Sequence, residues 1–135
     1  MRGLVMTKDD FRIELGRMLR AHFPVVQIST YEEERLLEVV RDVVARVDIP
    51  VSVKLTYFHS SPLHLARRFA GVGAAGLTLF NKVFHPDIDL EALEVVPRLH
   101  LETPANLSMR LLWVAAMWGR VDADLAVSGG VRSAE

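Results

Sequence analysis

Apolar positions recur along the chain in two rhythms, one of helical period and one of short continuous runs. Phe11, Ile13, Leu15, Met18 and Leu19 follow Thr7-Lys8-Asp9-Asp10, a threonine cap with an acid three residues on, which predicts a helix over 7–21 that stops before Pro24. The short β-rich run 25–28 then leads to a second capping box, Thr30-Tyr31-Glu32-Glu33, and a helix carrying Leu36, Leu37, Val40, Val43, Val44 and Val47. A strand over 51–55 follows Pro50. Ser61-Pro62 opens a helix through Leu63, Leu65, Ala66 and Phe69 that Gly71 and Gly73 end. The run 77–80 is a third strand, Asp89 caps a short helix carrying Leu90, Leu93 and Val96, residues 109–118 form a longer helix stopped by Gly119, and 125–127 is the fourth strand.

Alternation of apolar strands with amphipathic helices predicts an α/β fold with a parallel sheet covered by helices. The first three strands recur about every 26 residues, one βα unit per step of a (β/α) barrel or a doubly wound sheet. A complete eight-stranded barrel takes roughly 250 residues, and the chain has 135. The expectation is therefore a partial (β/α) barrel, half a TIM barrel with parallel strands and covering helices.

Composition narrows the partners. Apolar residues make up 50% and charged residues 24%, an ordinary globular balance. A net charge of -1 with both signs interspersed gives no field to draw nucleic acid or an anionic membrane, and the apolar stretches are too short to span a bilayer. No cysteine occurs, which removes disulfides and thiolate chemistry, and no secretory signal opens the chain, so the expected location is cytoplasmic.

Candidate chemistry concentrates where apolar strands end. Leu125-Ala126-Val127 runs into Ser128-Gly129-Gly130, a strand delivering a glycine pair to a helix start, the arrangement by which β/α proteins grip phosphate. The five histidines have no zinc-site spacing, so no metal is expected. Trp113, Trp118, Leu112 and Met117 fit one helix packed on a sheet or on a partner, and Arg67 and Arg68 fit a solvated face. No Gly-x-x-x-x-Gly-Lys-Ser/Thr loop occurs, so ATP hydrolysis is not expected.

Over residues 34–135, Ile49-Pro50-Val51-Ser52-Val53-Lys54-Leu55, Gly76-Leu77-Thr78-Leu79-Phe80-Asn81-Lys82, Pro86-Asp87-Ile88-Asp89-Leu90-Glu91 and Leu125-Ala126-Val127-Ser128-Gly129-Gly130-Val131 resemble the C-terminal part of dihydroorotate dehydrogenase-like proteins. The resemblance implies an FMN-dependent oxidoreductase of pyrimidine biosynthesis, or a truncated remnant of one. It puts Lys54 near the flavin ring, Ser128, Gly129 and Gly130 at the FMN phosphate, and Asn81 on a pyrimidine substrate. The family's catalytic-base segment and last barrel strand have no counterpart here, so the resemblance names no catalytic base.

Residues 1–33 stand apart from that resemblance. Phe11 to Glu34, with Leu19-Arg20-Ala21-His22-Phe23-Pro24 and Thr30-Tyr31-Glu32-Glu33-Glu34-Arg35, is similar to the N-terminal region of a group of AAA-type ATPases. That gives two units, an N-terminal helix and strand over 1–33 and a barrel-like part over 34–135. A sheet cut from a barrel leaves unpaired edges and an uncovered apolar face, which a homo-oligomer or the helix over 7–21 would cover. The alternative to a flavoenzyme is a non-catalytic β/α domain acting in assembly or protein–protein association.

Overall fold

The computed structural model describes residues 7–28, 30, 32–81, 85–98 and 106–131. In chain order these form α1 (Lys8–Arg20), α2 (Glu33–Val44), β1 (Ser52–Leu55), α3 (Pro62–Gly71), β2 (Gly76–Leu79), β3 (His85–Asp89), β4 (Glu94–Arg98), α4 (Leu107–Met117) and β5 (Asp124–Val127). The fold is α/β. Its sheet has three parallel strands in the order β1-β2-β5, with β2 in the centre, while β3 and β4 form a separate antiparallel hairpin.

Period-two alternation within the strands decides how the layers stack. Val53, Leu55, Leu77, Leu79 and Leu125 join one core with Leu37 of α2, Leu65, Ala66 and Phe69 of α3, and Met117 of α4. Their neighbours Ser52, Lys54, Gly76, Thr78, Asp124 and Ala126 alternate to the other face, where Ser52, Lys54, Asp124 and Ala126 are exposed and the Ser52 and Thr78 hydroxyls lie 3.4 Å apart. The helices thus cover one face, and the other is polar. The uncovered apolar sheet face expected from the sequence is not there, because Ser-Val-Lys-Leu and Gly-Leu-Thr-Leu are half-buried strands rather than continuous apolar runs.

The N-terminal segment starts as its pattern predicts. The Thr7 hydroxyl accepts the Asp10 N–H at 3.2 Å and opens α1. The helix lies against α2 through Arg12 and Asp42 (3.3 Å) and through the Arg35 guanidinium 5.8 Å from the centre of the Phe11 ring. Three local expectations are corrected. Residues 25–28 form no strand: Val25 is 80% exposed and the run has no ladder partner among the described residues. The Thr30 hydroxyl takes the Glu32 N–H, two residues on, so α2 starts at Glu33 without a side-chain cap.

The third correction concerns the helix expected after Asp89. The Asp89 carboxylate accepts the N–H groups of Glu91 and Ala92 at 3.0 and 3.1 Å and closes a turn, with Leu93 at φ +52°. Side-chain capture of this kind competes with helix formation, and β-branched Ile88, Val95 and Val96 then pair as strands. The helix start expected after Gly130 falls on 132–135, outside the described residues.

Candidate functional site

Strand ends at the carboxyl edge of the sheet gather several of the residues singled out in the sequence. Asn81 lies just past β2 and gives its N–H to the Leu55 carbonyl, while Ser128 lies just past β5 and gives its N–H to the Leu79 carbonyl at 2.7 Å. Both extend the parallel ladder by one step. Gly129 and Gly130 follow with φ of +93° and +79°, in the left-handed region that glycine enters without strain. Lys54 does not join them. It sits inside β1, on the exposed polar face, opposite Thr78 in the ladder, because the alternation that buries Leu55 turns Lys54 outward.

Arg110 fixes the loop after β5. Its side chain belongs to α4 and the residue is only 2% exposed, with Nε donating to the Ser128 carbonyl at 2.8 Å and a terminal nitrogen to the Asn106 carbonyl at 2.7 Å. A buried guanidinium needs such acceptors. The arginine ties the start of α4 to the glycine loop. Nothing in the local sequence marks it, since Ser128 is 18 residues away.

A second network joins the other end of the same edge to the helices. Thr56 Oγ1 lies 3.3 Å from His59 Nε2, and His59 Nδ1 lies 3.5 Å from the Glu33 carboxylate. Arg68 of α3 approaches Glu33 at 4.0 Å and also pairs with Glu34. Hydroxyl, imidazole and carboxylate stand in the order that activates nucleophiles in hydrolases. Here the carboxylate is shared with Arg68, and the network acts as a clamp that holds α2, the β1–α3 loop and α3 together. Tyr57 adds an edge contact to Phe80 at 6.1 Å between ring centres, linking the ends of β1 and β2.

Two depressions lie beside this clamp. One of about 540 Å³ is lined by Glu32, Glu33, Glu34, Arg35 and Glu38, and one of about 340 Å³ by residues including Glu34, Arg41 and Arg68. Neither is lined by Lys54, Asn81, Ser128, Gly129 or Gly130. Among the described residues, no group of three or more His, Asp or Glu could hold a metal ion, and no helix is long and apolar enough to cross a membrane.

The clamp and the α1–α2 contacts share one stretch of chain. Residues 11–76 match the family model of the SpoVK-like AAA ATPase N-terminal domain. This SpoVK-like match contains the segment whose likeness to AAA-type ATPases was legible in the sequence, and it runs on through α2, β1 and α3 to the first residue of β2. No curated protein matches the chain.

The SpoVK-like match overturns the flavoenzyme reading. The family model that matches over 11–76 is that of the N-terminal domain of SpoVK-like AAA ATPases, not that of an FMN-dependent dihydroorotate dehydrogenase, and the matched stretch includes Lys54 and the first strand of the supposed barrel. An oxidoreductase of pyrimidine biosynthesis is therefore not the function indicated. The misleading resemblance rested on short apolar strands followed by polar or glycine residues, a pattern that parallel β/α units share whatever they bind. The FMN roles given to Lys54, Ser128, Gly129 and Gly130, and the pyrimidine role given to Asn81, lose that support.

Proposed function

We propose that the chain is an N-terminal domain of an AAA-type ATPase that serves association with other polypeptides, not nucleotide turnover. The SpoVK-like match over residues 11–76 carries this reading. Two features support the non-catalytic half of it. The sequence contains no Gly-x-x-x-x-Gly-Lys-Ser/Thr loop to cradle a triphosphate. The glycine loop at 129–130 is held at its start by the buried Arg110, whose Nε donates to the Ser128 carbonyl while a terminal nitrogen donates to the Asn106 carbonyl.

The test uses a SpoVK-like AAA ATPase lacking its own N-terminal domain, to which the 135-residue chain is added. Co-sedimentation with that ATPase and a changed rate of ATP hydrolysis are the expected results, with no phosphate release and no saturable binding of a fluorescent ATP analogue by the chain alone. Turnover by the chain alone, or failure to bind the ATPase at any concentration, overturns the proposal.

A further inference from the structure

Two apolar surfaces stand uncovered among the described residues. Helix α4 is apolar nearly all round: Trp113, Val114 and Met117 pack into the core, while Leu111, Leu112 and Trp118 just beyond its end are 52%, 66% and 77% exposed. A helix with apolar residues on both faces belongs in a buried setting. The second surface is the β3–β4 hairpin. Ile88 and Val95 face one another across its ladder at 62% and 71% exposure, and Leu90 and Leu93 at the tip reach 80% and 81%. A lone two-stranded hairpin is marginal in water, and contiguous apolar patches on a monomer generally mark an interaction site.

Charge distinguishes the two surfaces. Toward its tip the hairpin carries Asp87, Asp89, Glu91 and Glu94, while His85 and Arg98 pair in the ladder at its open end, so the exposed Leu90 and Leu93 form an apolar tip flanked by acids. From Leu107 to Trp118 the helical surface contains no acid. It is edged by two arginines, with Arg67 Nε donating to the Arg120 carbonyl at 3.0 Å in the turn that follows Trp118. An acid-flanked apolar tip and a cation-edged apolar face complement each other in sign. Every copy carries both.

We propose that the hairpin of one copy docks on the outer face of α4 in a second copy. Leu90 and Leu93 cover Leu111, Leu112 and Trp118, and Glu91 and Glu94 lie toward Arg67 and Arg120. The contact is head-to-tail, so each copy has one donor surface and one acceptor surface. This inference rests on the reading of the domain as an association module, but needs no nucleotide-hydrolysing partner.

Sedimentation velocity on the full chain over a range of concentrations tests it, with two double variants placed at exposed positions. Leu90→Asp/Leu93→Asp removes the donor, and Leu112→Glu/Trp118→Ser removes the acceptor; circular dichroism melts establish that each variant folds. The wild-type chain should gain mass with concentration, and each variant alone should associate at least about tenfold more weakly. An equimolar mixture of the two variants should form a dimer and grow no further, since one intact donor meets one intact acceptor. A wild-type chain that stays monomeric throughout overturns the proposal. So does loss of association in the α4 variant alone, which would indicate a symmetric α4–α4 pair, or a mixture that fails to dimerise. Binding to an AAA-type ATPase is read separately, so either proposal can fail without the other.

Discussion

At the scale of single residues, the core and the tight turns set the largest effects. Leu79 is fully buried in the central strand, and Leu79→Ala should lower unfolding free energy by about 2–5 kcal/mol in a denaturant titration. Gly73 stands at φ +100°, and a Cβ there would meet Val44 Cγ1 at 3.0 Å. Gly73→Ala should therefore cost about 1–2 kcal/mol from the backbone alone, with the Val44 contact adding to it. Lys54→Ala changes an exposed side chain on the polar sheet face and should stay within about 0.5 kcal/mol. The contrast among the three in one denaturation series checks which face of the sheet is buried.

Arg110 links the residue scale to the loop it holds. Arg110→Met should leave two carbonyls without their cationic donor, at about 1.5–3 kcal/mol for each charge-assisted bond lost. Arg110→Lys should rescue little, because a single ammonium cannot reproduce the guanidinium fork that reaches Ser128 and Asn106 together. Amide exchange at 128–130 should speed up in both variants. Unchanged exchange there would show that the loop is held by other contacts.

Among the elements, the hairpin has a turn whose stability should follow pH. The Asp89 carboxyl is held below the ordinary aspartate range, first by the Ala92 N–H and then by the Glu91 N–H. A pKa depressed in the folded state means the turn is supported above the unfolded value, and that support is lost as pH falls through the folded value. Acidification below about pH 4 should thus loosen the turn. The amide resonances of Glu91 and Ala92 followed through an acid titration check this, and Asp89→Asn should flatten the response. The same element shows why sequence pattern misled: Leu90, Leu93 and Val96 have helical spacing, yet the Asp89 turn redirects the backbone before a first helical turn can form.

For the molecule as a whole, burial is uneven. The parallel sheet shares one core with α2, α3 and α4, whereas the hairpin exposes its apolar residues. Native-state hydrogen exchange should find the slowest amides in β2 and α3 and fast exchange in the hairpin at low protein concentration. Raising the concentration should slow the hairpin amides and leave β2 unchanged. Equal slowing everywhere would point to a general stabilisation and not to docking at one surface.

Local pattern by itself determined α1 with its Thr7 cap, the proline-led start of α3, the three strands of the sheet and the length of α4, because capping and hydrophobic period are properties of neighbours in the chain. The AAA-type likeness around residues 11–34 was legible for the same reason, as an ordered run of residue types. Tertiary structure decided the rest. Only folding brings Glu33 to His59 and Arg68, or Arg110 under the Ser128 carbonyl, since those partners are far apart in sequence. Packing of the helices onto a single sheet face likewise left Lys54 on the polar side and Leu112 and Trp118 exposed. Periodicity shows that a residue has a face, but what covers that face depends on which elements meet in space.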